Sequence, residues 1–366
     1  MSQQGPIDLP FGLGALPLRN RAVVAPMSRV SAGAGGVPTP RLAEYYAGFA
    51  RGGFGLVITE GVYTDQLYSQ AYDGQPGLVT PGQIDGWRVV TRAVHDAGGR
   101  VLAQLMHAGA LSQCRTATIA PSVVRPRGEK MPAYGGEGAF PMPAAATDTD
   151  LKAAIDGFAA AALAAREAGF DGVEIHGANG YLLDQFLTGY TNLRDDRYGG
   201  DAAARATLAA EVVDAVRRAT DREFVVGIRL SQTKVNDFDH RWADVAEATA
   251  ILRTVTEPGP DYLHIAGEGR NWRTAATLPG GPTITRLARE VTSLPVIANG
   301  GLHDPAQAAE VLSEGDADLV SIGRGALVTP DWPRRVRDGL PLRPWDPALL
   351  SPAADLASQH AWQAKN

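Results

Sequence analysis

A single cysteine, Cys114, stands in a chain of 366 residues. An intrachain disulfide is impossible, and a multi-cysteine zinc or iron–sulfur site is excluded with it. Lysine is nearly as scarce. Lys130, Lys152, Lys234 and Lys365 are the whole set, so almost all positive charge is arginine. No basic run stands out in a chain of net charge −6, which argues against a nucleic-acid partner. No apolar run approaches the roughly 18 residues of a spanning helix. The opening MSQQGPIDLP lacks the basic-then-apolar pattern of a secretory signal. A soluble, cytoplasmic protein with no membrane partner is expected.

What is present is a repeating alternation. Hydrophobic residues make up 45% of the chain, ample for a large core. Residues 6–22 read as a small hairpin or cap. Short apolar strands follow at 23–25, 55–59, 101–106, 172–175, 223–230, 261–265, 295–299 and 317–323. Helical stretches lie between or after them at 41–51, 84–97, 151–168, 201–219, 243–256, 283–291, 305–313 and 331–338. The strands are short and apolar with no hairpin turns between them, as expected for parallel strands buried on both faces. Eight such units predict an α/β chain forming a single (β/α)8 TIM barrel over 1–366. Two extensions go with it: a lid-like excursion after strand three, 107–146, and a Pro-rich tail, 340–366. An open doubly wound sheet would want a glycine fingerprint after the first strand, where Pro26-Met27-Ser28 stands instead.

In such barrels the chemistry sits at the C-terminal ends of the strands. That rule selects Pro26, Met27 and Ser28, then Glu60 and Gly61, then Gln104 and His107. It adds His176, Asn179 and Tyr181 after strand four and Arg229 at strand five. Gly300 and Gly301 follow strand seven, and Gly323 and Arg324 follow strand eight. The glycines bare backbone N–H groups beside an arginine, a seat for phosphate, although tight turns alone also call for glycine. His176, Asn179 and Tyr181 offer two hydrogen-bond partners for an oxygen and one proton donor. No HExxH or multi-histidine spacing points to a metal. Gln104 and Arg229 interrupt apolar strands, so each needs a partner. A polar cofactor or an internal acid such as Glu60 would serve.

Several motifs together resemble a known family. NRAVVAPMSR (20–29), TEG (59–61), QLMHAG (104–109), EIHGANGYLLDQFL (174–187), TNLRDDRYGG (191–200), GIRLS (227–231), IANGG (297–301) and LVSIGRGALVTPDWP (319–333) occur in order and cover nearly the whole barrel. The chain is similar to the flavin-dependent ene-reductases of the Old Yellow Enzyme family. The resemblance implies FMN held non-covalently, with NADH or NADPH as electron donor and an activated alkene (enone, enal or nitroalkene) as substrate. It implies Pro26, Met27, Ser28, Gly61, Gln104 and Arg229 around the flavin ring. Gly300, Gly301, Gly323 and Arg324 would hold its phosphate. His176 and Asn179 would hold the substrate oxygen, and Tyr181 would be the proton donor. Two departures stand out. Ser28 replaces the family's usual Thr or Cys, and Ala110 replaces a common Arg after HxG. A flavin-free phosphate-binding barrel of aldolase or epimerase type, or a flavin-binding protein without turnover, are the alternatives. Oligomeric state is left open, homo-oligomers included.

Overall fold

The computed structural model describes residues 5–267 and 271–365. A hairpin of β1 (Phe11–Leu13) and β2 (Leu16–Leu18) precedes the barrel. Eight strands then close on themselves in parallel: β3 (Ala22–Val24), β4 (Leu56–Tyr63), β5 (Val101–Met106), β8 (Gly172–Asn179), β9 (Val225–Lys234), β10 (Tyr262–Ile265), β11 (Val296–Asn299) and β12 (Leu319–Ile322). The remaining two strands, β6 (Ile119–Ala120) and β7 (Ala144–Ala145), pair with each other inside the excursion after β5. Twelve α-helices are present among the described residues: α1 (Pro40–Gly52), α2 (Pro81–Asp96), α3 (Asp148–Glu167), α4 (Leu182–Leu187), α5 (Ala202–Ala219), α6 (Val245–Thr256), α7 (Trp272–Ala276), α8 (Ile284–Thr292), α9 (Pro305–Ser313), α10 (Arg324–Val328), α11 (Trp332–Arg337) and α12 (Leu356–Gln363). None of them is long and apolar enough to cross a membrane.

The (β/α)8 expectation holds, and the differences have physical causes. α2 starts three residues before the expected Ile84, because Thr80 and Gln83 form a reciprocal capping box and Pro81 fits the first turn. β4, β8 and β9 run past their expected ends to Tyr63, Asn179 and Lys234. Polar residues or glycine interrupt each run there (Glu60-Gly61, His176-Gly177, and Ser231 to Lys234), so the apolar pattern breaks while the backbone ladder continues. Part of the expected loop 231–242 is therefore strand. α4, α7, α10 and α12 lie outside the eight expected helices, being short or set in Pro-rich sequence. The expected tail is not plain coil: α12 returns to the loop after β3. There Arg29 Nη2 donates to Asp355 O at 2.7 Å and Gln359 Oε1 at 2.9 Å.

Side chains alternate along each strand, so inward residues fall in layers. Val23, Leu56, Leu102, Val225, Tyr262, Ile297 and Leu319 pack at one end, and Leu13, Leu16 and Leu18 of the hairpin cluster with them. Outward residues such as Val173, Ile175 and Val226 join the helices in the larger core. One step above the apolar layer the inward positions turn polar. Gln104, Glu174, His264 and Ser321 are each 3% exposed or less.

Candidate active site

His176 and Asn179 lie in the last four residues of strand β8, and Tyr181 precedes α4. The β8–β9 register slips between Gly177 and Asn179, and Asn179 adopts a left-handed backbone at φ 65°. That conformation is costly for a residue with a Cβ and persists only where surroundings enforce it. Here Asn179 N–H donates to Ser231 Oγ at 2.9 Å, and Gly180 N–H donates to Asp184 Oδ2 at 2.6 Å. Asp184 is in turn bonded to Lys234 Nζ at 2.5 Å, with both side chains 2% exposed or less. A free amine at a strand end, which a Schiff-base aldolase requires, is thus not what Lys234 offers.

The three side chains lie close. The His176 and Tyr181 rings are 5.1 Å apart between centroids, and all three residues are buried. Burial, reinforced by the Arg229 charge, pulls the His176 imidazole down to about 3, so it is neutral at pH 7. Its Nδ1 is buried without a hydrogen-bond partner among the described residues. Such an atom is rare in a native interior and marks a place where a ligand oxygen or water belongs. The Tyr181 hydroxyl shares a short hydrogen bond with the hydroxyl of Tyr72, a residue with no motif to flag it. Tyr72 in turn packs on Tyr134 of the excursion at 4.6 Å between ring centroids.

Gln104 does pair with an internal acid, one of the two alternatives, but the acid is Glu174 and not Glu60. Its Nε2 donates to Glu174 Oε1 at 2.9 Å. Glu60 instead accepts the N–H groups of Arg29 at 2.8 Å and Val30 at 3.2 Å, and the Tyr46 hydroxyl at 3.2 Å. It thereby anchors the loop carrying Pro26, Met27 and half-buried Ser28. Arg229 Nη2 donates to Asn299 Oδ1 at 3.2 Å. Gly61 sits where an added Cβ would come within 2.4 Å of Met106 Sδ. His107 is tied down, with Nε2 3.2 Å from Asp65 Oδ2 and Nδ1 accepting the Gly109 N–H.

Beside these residues opens a cavity of about 440 Å³. Pro26, Met27, Arg229, Gly300, Gly301, Gly323 and Arg324 line it, as do Asn299, Ser321, Arg343 and Trp345. Gly300 and Gly301 have φ of 126° and 72°, which side-chain-bearing residues rarely adopt. The described lining holds three arginines and no carboxylate, an electrostatic fit for phosphate. Volume and charge therefore suit a phosphorylated organic cofactor. Arg343 and Trp345 come from the tail and were not anticipated; Arg324 lies 5.9 Å from the Trp345 ring centroid. Ser28, Gly61, Gln104, His176, Asn179 and Tyr181 do not line this cavity. The two groups abut through the ladder, where His176 is the direct partner of Arg229.

Known proteins resemble the chain along nearly its whole length. The model of the NADH:flavin oxidoreductase / NADH oxidase family matches residues 7–343. The flavin oxidoreductase hxnT of Emericella nidulans is 34% identical over 370 residues, 94% of each chain. The "Probable flavin mononucleotide-dependent alkene reductase" of Leishmania infantum is 34% identical over 361 residues, 93% of each chain. A solved structure of morphinone reductase in complex with tetrahydroNAD superposes with a TM-score of 0.81 at 31% identity, over 95% of this chain and 94% of that one.

Proposed function

The chain belongs to the NADH:flavin oxidoreductase / NADH oxidase family and is an FMN- and nicotinamide-dependent oxidoreductase; on that premise we propose that it reduces the C=C bond of alkenes conjugated to a carbonyl or nitro group. The observation that carries this reading is the buried group of His176, Asn179 and Tyr181 at the barrel mouth, with an unsatisfied His176 Nδ1. In this reading Gly300, Gly301, Gly323 and Arg324 hold the FMN phosphate. Pro26, Met27, Ser28, Gly61, Gln104 and Arg229 surround the ring. FMN, once bound, supplies the hydride chemistry between nicotinamide and alkene.

The protein's part is orientation, charge and one proton. Neutral His176 and the Asn179 amide donate to the substrate oxygen, stabilising the negative charge that builds there as the alkene is reduced. A neutral imidazole suits this task, since it donates without fixing a full charge on the oxidised enzyme. The Tyr181 hydroxyl delivers a proton to the α-carbon. Tyr72, bonded to that hydroxyl, orients it and stabilises the phenolate left behind. Burial of all three keeps bulk water from competing.

Tyr181→Phe tests the assignment. Alkene reduction should fall by about 10² or more, in the range for loss of a general acid. Flavin reduction by NADH or NADPH, read at the flavin absorbance in stopped flow, should change less than about threefold, since it needs no proton from Tyr181. Equal loss in both half-reactions would refute the proton-donor role.

A further inference from the structure

The middle layer of a (β/α)8 barrel is ordinarily filled by branched apolar side chains. Here it holds a carboxylate, an imidazole and a hydroxyl joined in series. Glu174 Oε2 is 2.8 Å from His264 Nδ1, and His264 Nε2 is 2.8 Å from Ser321 Oγ. The Tyr262 hydroxyl donates to the same Glu174 oxygen at 3.0 Å. Gly227 makes room for that tyrosine: a Cβ there would fall 2.1 Å from Tyr262 Cζ. Glu174 and His264 are both 0% exposed. Burying a carboxylate is expensive even when every lone pair is satisfied, and an apolar residue would fill the space at lower cost.

The other Glu174 oxygen points the network upward. Oε1 accepts Gln104 Nε2 at 2.9 Å. An acceptor-only carboxylate fixes which end of the amide faces it. The Gln104 carbonyl is thereby turned away from Glu174 and kept as the acceptor for whatever lies above. The carboxyl itself is held below its ordinary range: burial opposes this, but His264, Arg229 and Gln104 outweigh it, so Glu174 carries its charge. Arg229 feels that charge from the neighbouring strand.

We propose that Glu174 is a positioning residue for the flavin: through Gln104 it fixes the orientation of the ring, and beside Arg229 it offsets the positive charge that favours reduced flavin. This rests on the seat of Gln104 and Arg229 proposed above. The network therefore lowers the reduction potential and makes the reduced cofactor a stronger hydride donor to the alkene. Ser321 and His264 are the terminus of the chain, keeping Glu174 ionised rather than touching substrate.

The test is the FMN midpoint potential of the holoenzyme, measured by equilibration with a reference dye, alongside the Kd for oxidised FMN. Glu174→Gln should favour reduced over oxidised FMN by about tenfold or more, about 30 mV upward for a two-electron couple. Tyr262→Phe keeps the carboxylate but removes one of its donors, so its potential should shift downward. If Glu174→Gln fails to fold, Tyr262→Phe decides alone. An unmoved potential, or shifts of the opposite sign, in protein that still binds FMN overturns this inference and leaves the seat intact. Wild-type protein that binds neither FMN nor riboflavin would instead overturn the seat.

Discussion

Breaking the buried Lys234–Asp184 pair should cost far more than removing it altogether. The pair lies beneath the turn that carries Asn179 and Tyr181. Asp184 holds Lys234 Nζ with one oxygen and Gly180 N–H with the other, and Lys234 stands opposite Asn179 in the ladder. The Asp184 carboxyl is pushed above its ordinary range, because burial outweighs Lys234 and the Gly180 N–H. For the Asp184 carboxylate, desolvation thus exceeds the attraction of its partners, and a buried ion pair in that condition adds little net stability. Lys234→Met strands a carboxylate and Asp184→Asn strands an ammonium, each at about 3–5 kcal/mol. The double variant strands neither and should lie within about 1–2 kcal/mol of wild type. Urea unfolding of the FMN-saturated protein, with m-values checked for constancy, gives the four free energies. The Lys234→Met deficit should also depend on pH. An aspartate near ~3.9 when unfolded and higher when folded contributes stability below its unfolded pKa and loses it as pH rises through the folded value. The deficit is then smaller at pH 5 than at pH 8. Single variants within about 0.5 kcal/mol of wild type, or a double variant equal to the sum of the singles, would refute the argument.

Burial pushes the Glu60 carboxyl up to about 7. The unfolded chain releases that proton near ~4.3 while the folded chain retains it, so the stability it contributes in acid is lost as pH rises to about 7, on the order of 3 kcal/mol. Glu60→Gln should flatten urea-midpoint profiles between pH 5 and 8, and an unchanged slope would contradict this. Arg324 and Arg343 are exposed at the cavity rim, so each should contribute only about 1 kcal/mol to phosphate binding. Arg343→Ala should weaken FMN about fivefold and leave riboflavin unchanged in fluorescence titration; equal loss for both would remove Arg343 from the phosphate end.

Much of the barrel was readable because strands covered on both faces leave continuous apolar runs, and the glycines at 300 and 301 mark the turns that follow one of them. Strand ends were less readable. His176, Asn179, Ser231 and Lys234 are polar residues that face the interior or the mouth, so their polarity resembles a loop. Pairings that depend on closure were not readable at all. Glu174 meets His264 across 90 positions and Tyr72 meets Tyr181 across 109. No local spacing joins such residues. One clue was available for Glu174: it stands two residues before His176, on the same face of the strand. Arg343 and Trp345 carried no signal, since the tail gives no periodicity.

Those tail residues also bear on the order of synthesis. Arg343 and Trp345 close the cavity, and α12 grips Arg29 beside Ser28. Every other wall of the pocket is translated before them. A chain that has not yet extended past Trp345 therefore lacks one side of the pocket, the side nearest the loop that α12 braces at Arg29. A fusion partner joined ahead of the hairpin would attach at the leucine-plugged end of the barrel, away from the pocket that the tail closes.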